Sequence, residues 1–230
     1  EKPMLPTIAI IAQGSMGAGV ANRLTENGVR VLTSLHGRSE ASARRAQAAG
    51  MIDASDAEIA AADVILSIVP PGDAAALAQR LAPALTATTT KPLYADCNAV
   101  NPDTVKQIGA AIARTGAPFA DAGIIGGLPR AGYGGPVFYY SGADAEPLAR
   151  LNDVGLVFRR VEGGIGAASA LKMSYGGITK GLTAVGSAML LAAERAGVAE
   201  ALHAELSASQ PNLLAYFQRS VPDMFGKAYR

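Results

Sequence analysis

Short apolar runs alternate with longer alanine-rich stretches along the first two-thirds of the chain. The runs are Thr7 to Ile11, Val29 to Thr33, Val64 to Val69, Leu93 to Cys97, Phe119 to Ile125 and Val137 to Ser141. This alternation predicts strands separated by helices, and such units join parallel strands by right-handed crossovers. Strands covered on both faces need no polar side, which accounts for the nearly unbroken apolarity of Val64-Ile65-Leu66-Ser67-Ile68-Val69. Beyond Leu156 to Val161 the pattern changes. The glycines of Gly163-Gly164-Ile165-Gly166 open a proline-free segment from Ala167 to about Ala196, predicted as one long helix broken at Gly197. At about 1.5 Å per residue it runs ~45 Å, longer than a small domain is wide. The remainder, Glu200 to Arg230, carries Pro211 and Pro222 and predicts two or three short helices. That is too little chain to cover both faces of the long helix, so a homodimer through this helix is expected. The expected architecture is α/β: a doubly wound sheet domain over residues 1–162, then the long helix and a smaller all-α domain over 163–230.

Composition narrows the partners. Of 230 residues, half are apolar, enough for one large or two small domains. The 26 glycines and 13 prolines exceed ordinary usage without reaching low complexity, so the extra glycine serves specific backbone positions. A net charge of +1, with seven Tyr, five Phe and no Trp, offers neither a basic groove nor stacking platforms, and nucleic acid is not expected as a partner. Cys97 is the single cysteine and His36 and His203 the two histidines, so neither an internal disulfide nor a structural metal is expected. No apolar run approaches the ~20 residues that span a bilayer, and the opening residues lack a signal-peptide core. A cytoplasmic protein away from membranes is the expectation.

The first strand runs into Ala12-Gln13-Gly14-Ser15-Met16-Gly17 and then a helical stretch to Asn27, the context of a dinucleotide-binding turn. Gly14 lets the backbone approach a pyrophosphate, Gly17 lets helix and strand pack closely, and the helix N-terminus, with Ser15 and Met16, presents free N–H groups to phosphate. Ala12 stands where the first glycine of the pattern belongs, and its Cβ is tolerable at negative φ. An NAD site uses a carboxylate near the end of the second strand, and none follows Val31-Leu32-Thr33. Arg38 and Ser39 stand there instead and suit a 2′-phosphate, so NADP is expected over NAD. Ser39 equally suits the cap of a helix starting near Glu40. Val69-Pro70-Pro71 ends a strand at the carboxyl edge, where ligands of such sheets bind; it either shapes the nicotinamide pocket or simply ends the strand.

Between Glu162 and Glu194 there is no acidic residue, so neither Lys172 nor Lys180 has an acidic residue at i±4. Gly176, Gly177, Gly181 and Gly186 each cost up to ~1 kcal/mol inside a helix, which close approach by a ligand or another helix offsets. A desolvated lysine in such a place serves as general acid or base, whereas an exposed one only extends its stem along the surface. The residues alone leave both open. Asp96 and Asp121, at strand ends, suggest either an acid–base pair or, as is commoner for carboxylates there, loop caps. Cys97 reads as a small buried residue.

Ile11-Ala12-Gln13-Gly14-Ser15-Met16-Gly17 resembles the N-terminal signature of the β-hydroxyacid dehydrogenases, a group that includes 6-phosphogluconate and 3-hydroxyisobutyrate dehydrogenases and the imine reductases. Asp121-Ala122-Gly123-Ile124-Ile125-Gly126-Gly127 is similar to the substrate loop of that family, and Gly164-Ile165-Gly166 followed by Lys172 to its catalytic-lysine helix. The three motifs keep the family's order and span nearly the whole chain. The resemblance implies a Rossmann-type N-terminal domain and a small-molecule substrate. Lys172 would exchange a proton with the substrate hydroxyl or carbonyl while hydride moves to or from the nicotinamide. It implies Asn98, on a loop facing the nicotinamide ribose and substrate, as a second catalytic residue. Substrate contacts are implied at Gly123, Ile125, Gly126, Gly127, Tyr175 and Gly176. Two positions depart from the family: Ile125 replaces its usual Ser and Gly176 its usual Asn. Replacement polar groups are available in Asn98, Arg130, Tyr133, Ser174 and Tyr175. Ser169 to Gly181 is most similar to a 6-phosphogluconate dehydrogenase-like subgroup without an assigned substrate.

The expected function is therefore an NADP-dependent oxidoreductase acting on a small hydroxy or oxo compound. Imine reduction is an alternative within the class, and a non-catalytic NADP-binding sensor or scaffold is one outside it. A methyltransferase binding S-adenosylmethionine conflicts with Arg38 and the absent carboxylate.

Overall fold

A computed structural model describes residues 5–11 and 14–225. The first part of the chain forms β1 (Thr7–Ile11), α1 (Ser15–Glu26), β2 (Arg30–Thr33), α2 (Glu40–Ala48), β3 (Ile52–Asp53), α3 (Asp56–Ala60) and β4 (Val64–Ser67). It continues with α4 (Ala74–Ala87), β5 (Leu93–Asp96), α5 (Pro102–Ala113), β6 (Phe119–Ile125), β7 (Val137–Ser141) and β8 (Val157–Arg160). The helices α6 (Ala167–Arg195), α7 (Ala199–Ser209) and α8 (Pro211–Phe225) complete it. The described strands make one sheet in the order β3-β2-β1-β4-β5-β6-β7-β8.

Side-chain alternation divides the core in two. Ile8, Ile10, Val64, Leu66 and Ala95 pack on one face, and Ala9, Ile11, Ile65 and Tyr94 on the other. All four residues of β4 are buried, as a central strand with helices on both sides requires. Each fully buried Ile or Leu contributes about 1.5–3 kcal/mol. Local sequence sets the helix starts. Ser39 caps α2, Ser55 and Glu58 form a capping box on α3, and Asn101 followed by Pro102 starts α5.

The sequence-expected strands are present, with one change of direction and two additions. β7 pairs antiparallel with β6, whereas the repeating pattern predicted parallel strands. The connection from Gly126 to Pro136 contains no helix, and a parallel return needs a crossover, usually helical. β8 returns parallel to β7 after a 3-10 segment, Glu146–Val154. β3 has only two residues, both exposed, too short for any periodicity.

The chain divides into two compact units, Glu1–Met173 and Ser174–Arg230, with the boundary inside α6. The second unit has its own packing logic. A Cβ on Gly186 would overlap the ring of Phe217, so this glycine is the price of a close approach between α6 and α8. Tyr216 Oη donates to the Thr179 carbonyl at 2.7 Å. By contrast, nothing lies within 4 Å of where a Cβ would stand on Gly176, Gly177 or Gly181.

Candidate active site

The strand order reverses between β1 and β4, and their carboxyl ends flank the start of α1. Ligands of open α/β sheets bind at such a switch point. Gly14 is the N-cap of α1 with φ −70 and ψ 173, a conformation open to any residue. Its value is space, because a Cβ there would meet nothing within 4 Å. Among the described residues no side chain caps α1, and no acid stands in its first turn. The free N–H groups and positive dipole end are left facing outward, as a pyrophosphate requires. Gly17 is buried, Met16 packs on the core and Ser15 is exposed. Ala12 and Gln13 lie outside the described residues.

At the end of β2 the chain turns through Gly37 at φ +68, and Arg38 and Ser39 are both exposed. Ser39 Oγ accepts from Ser42 N at 3.3 Å, so the helix-cap reading of this serine holds. Two contacts invisible in the sequence pattern secure this loop. Asp53 Oδ1, from β3, accepts from Leu35 N at 2.8 Å. Arg80, from α4, donates to Ser34 Oγ at 2.6 Å and to both carboxylate oxygens of Asp56. A carboxylate does reach the end of β2, brought by strand pairing of Thr33 with Asp53.

The loops after β4 and β5 are tied together by Asn98. Its Oδ1 accepts from Val69 N at 2.7 Å and its Nδ2 donates to Ser67 Oγ at 2.8 Å. Asn98 is buried, and these bonds fix the turn that leads into Pro70 and Pro71, both exposed. Asp96 Oδ1 in turn accepts from Asn98 N at 3.0 Å. Burial raises the Asp96 carboxyl from its ordinary 3.8 to about 6, against the Asn98 bonds that lower it; the charge of Asp121 adds to the rise and that of Lys172 opposes it. Burial likewise pushes the Cys97 thiol up, leaving it a neutral core residue.

Lys172 reaches this region because Asp121 fixes the start of α6. Asp121 Oδ2 accepts from Gly166 N and Ser169 N, each at 2.9 Å, and Oδ1 accepts from Ser169 Oγ at 2.6 Å. Ser141 Oγ donates to Asp121 at 3.3 Å and accepts from Ala168 N at 3.1 Å. A buried carboxylate thus satisfies N–H groups that a helix start leaves free and complements its dipole. One turn further on, α6 crosses β6 at Gly123. A Cβ on that glycine would lie 3.0 Å from Lys172 Cβ and 3.2 Å from the Ala168 carbonyl. Gly123 and the half-buried Lys172 are therefore in direct contact, which only the tertiary structure reveals.

Beyond Gly123, the half-buried Ile125 leads to Gly126, at φ +124, where a Cβ would run into Tyr133 Oη and Pro136. Gly127 faces open space. The loop then folds onto α1, where Arg23 donates to the carbonyls of Arg130 and Tyr133 at 3.1 and 3.2 Å. The Arg130 guanidinium lies 5.5 Å from the Tyr133 ring centre. Tyr175 and Gly176 follow Lys172 on α6, Tyr175 being half exposed.

Residues 7–155 match the NAD-binding domain of 6-phosphogluconate dehydrogenase, and the chain belongs to that family. Residues 193–230 match a domain of unknown function, DUF1932. No curated protein matches the chain. Among solved structures, a conserved protein of unknown function reported as similar to 3-hydroxyacid dehydrogenases is 32% identical, with a TM-score of 0.76 over 94% of this chain and 79% of that one. A conserved hypothetical protein from Sinorhizobium meliloti is 30% identical, with a TM-score of 0.73 over 96% and 74%. An imine reductase from Myxococcus stipitatus, solved with NADP+, shares the fold at 20% identity, with a TM-score of 0.72 over 97% and 77%. Family and fold place the protein among the NAD(P)-dependent oxidoreductases. Among the described residues, no helix is long and apolar enough to cross a membrane.

Proposed function

We propose that the protein is an NADP-dependent oxidoreductase that passes hydride between nicotinamide and a small hydroxy or oxo substrate, with Lys172 as general acid or base. The observation that carries this reading is the docking of α6 on Gly123. It brings Lys172 beside the segment of β6 that runs past the Asp96–Asp121 pair toward the carboxyl edge. When bound, the nicotinamide supplies or takes the hydride. The chain's own part is to bind, to orient and to move one proton. Gly14 and the start of α1 would receive the pyrophosphate, and Arg38 with Ser39 the 2′-phosphate. Asn98 holds the Val69-Pro70-Pro71 turn that shapes the nicotinamide pocket. In the reducing direction Lys172 Nζ gives a proton to the substrate oxygen, and in the oxidising direction it takes one. Gly123, Ile125, Gly126 and Gly127 line the substrate.

Imine reduction is the second reading. Ile125 and Gly176 stand where the family carries Ser and Asn, which removes two hydrogen-bonding groups that suit a hydroxyacid. A cytoplasmic location accompanies either reading and agrees with the unpaired, buried thiol of Cys97.

The test begins with NADPH and NADH titrations followed by nicotinamide fluorescence, repeated with Arg38→Ala. Tighter NADPH binding that weakens about tenfold in the variant, with NADH unaffected, is expected for a 2′-phosphate contact worth ~1.4 kcal/mol. A panel of hydroxyacids, oxoacids and cyclic imines is then assayed with the unsubstituted protein and Lys172→Ala, where a loss of about 10²–10⁴-fold is expected. NADH binding tighter than NADPH overturns the cofactor. Tight binding without turnover across the panel moves a sensor or scaffold to first place.

A further inference from the structure

Ser67, Asp96, Asp121 and Ser141 stand in register on the neighbouring strands β4, β5, β6 and β7 and form a buried polar row. Three of them spend their polar atoms on neighbours: Ser67 on Asn98, and Asp121 and Ser141 on the start of α6. Asp96 differs. Its Oδ1 accepts from Asn98 N, but its Oδ2, buried equally deeply, has no hydrogen-bond partner among the described residues. A carboxylate oxygen in such a place needs a compensating charge. The titratable groups around it are Tyr94 and Cys97 on its own segment, Asp121 on β6 and Lys172 on α6. Burial keeps Tyr94 and Cys97 neutral, and four donors already surround the Asp121 carboxylate. Among the described residues the cation at this row is Lys172, whose Cβ lies against Gly123, two positions along β6 from the Asp121 that pairs with Asp96.

We propose that Asp96 is the counter-charge that sets the protonation state of Lys172, holding it as the ammonium form that donates in reduction. This rests on the reading of Lys172 as the acid–base residue. Asp96 acts through Lys172 and is a positioning residue. While it is ionised, Lys172 binds its proton more tightly; when it is protonated or replaced by an amide, Lys172 releases that proton at lower pH.

The test needs no substrate. Lysines are dimethylated with carbon-13 methyl groups, which preserves their charge. The Lys172 resonance, assigned by its loss in Lys172→Arg, is followed by NMR across the pH range. The unsubstituted protein is expected to show a minor inflection as Asp96 titrates at about 6, ahead of the main lysine step. In Asp96→Asn the minor inflection disappears and the main step falls by roughly one pH unit. A single step in the unsubstituted protein overturns the proposal, whether or not the variant folds, and so does a main step that Asp96→Asn leaves in place. Failure of the catalytic reading shows elsewhere, as undiminished turnover in Lys172→Ala.

Discussion

Gly123 has no side chain because α6 arrives there, with Lys172 Cβ 3.0 Å from the position a Cβ would take. Gly123→Ala pushes strand and helix apart in a packed region, at a cost of about 1–3 kcal/mol. A lower melting temperature is expected, together with loss of turnover in any substrate assay that Lys172 supports. Asp96 makes a different prediction at this scale. Its folded-state value of about 6 exceeds its ordinary 3.8, so the folded chain holds this proton more tightly than the unfolded one. The stabilisation is fully present below 3.8 and is lost as pH rises through about 6. The size of the shift corresponds to roughly 3 kcal/mol. Calorimetry across pH should find Asp96→Asn more stable than the parent at neutral pH, with that part of the pH dependence removed. A neutral-pH loss of stability in this variant would mean that the carboxylate serves the fold itself.

At the scale of elements, the start of α6 depends on residues far away in the chain. Asp121 and Ser141 supply the acceptors that its first turn lacks, so the helix carrying Lys172 is anchored to β6 and β7. Asp121→Asn keeps one acceptor but turns an amide N–H₂ toward donors. The expected loss is roughly 3 kcal/mol, seen as a lower denaturant midpoint. Asn98 plays the corresponding part between the β4 and β5 loops. Asn98→Ala should cost about 1–3 kcal/mol by leaving Ser67 and the Val69 N–H unpaired. If the Val69-Pro70-Pro71 turn shapes the nicotinamide pocket, dinucleotide affinity falls with it in the same fluorescence titration.

At the scale of the whole molecule, α6 presents large apolar side chains to solvent along its length. Ile178 is 70% exposed, Val185 63% and Met189 57%, beside the open backbone of Gly177 and Gly181. A monomer rarely leaves such a surface uncovered. A second copy of the chain, meeting the same face by two-fold symmetry, is the proposed cover. Light scattering should give twice the chain mass, and Val185→Glu should shift it to the monomer while leaving the far-ultraviolet dichroism of the sheet domain in place. A monomer for the parent chain would show that something else covers this face.

The alternation of strands and helices, the start of the first helix at Gly14 and the extent of the lysine-bearing helix were legible in the residues, because periodicity, capping and glycine spacing act over a few positions. The strand order and the antiparallel turn at β7 came from how whole elements pair, which no local window contains. The same holds for the site. The residues around Lys172 left its role open, and its contact with Gly123 and the capping of α6 by Asp121 join residues 45 and more positions apart. Asp96 looked like an ordinary strand-end carboxylate. Its unusual affinity for a proton arises from burial among four strands and a helix, and desolvation is a property of the packed molecule.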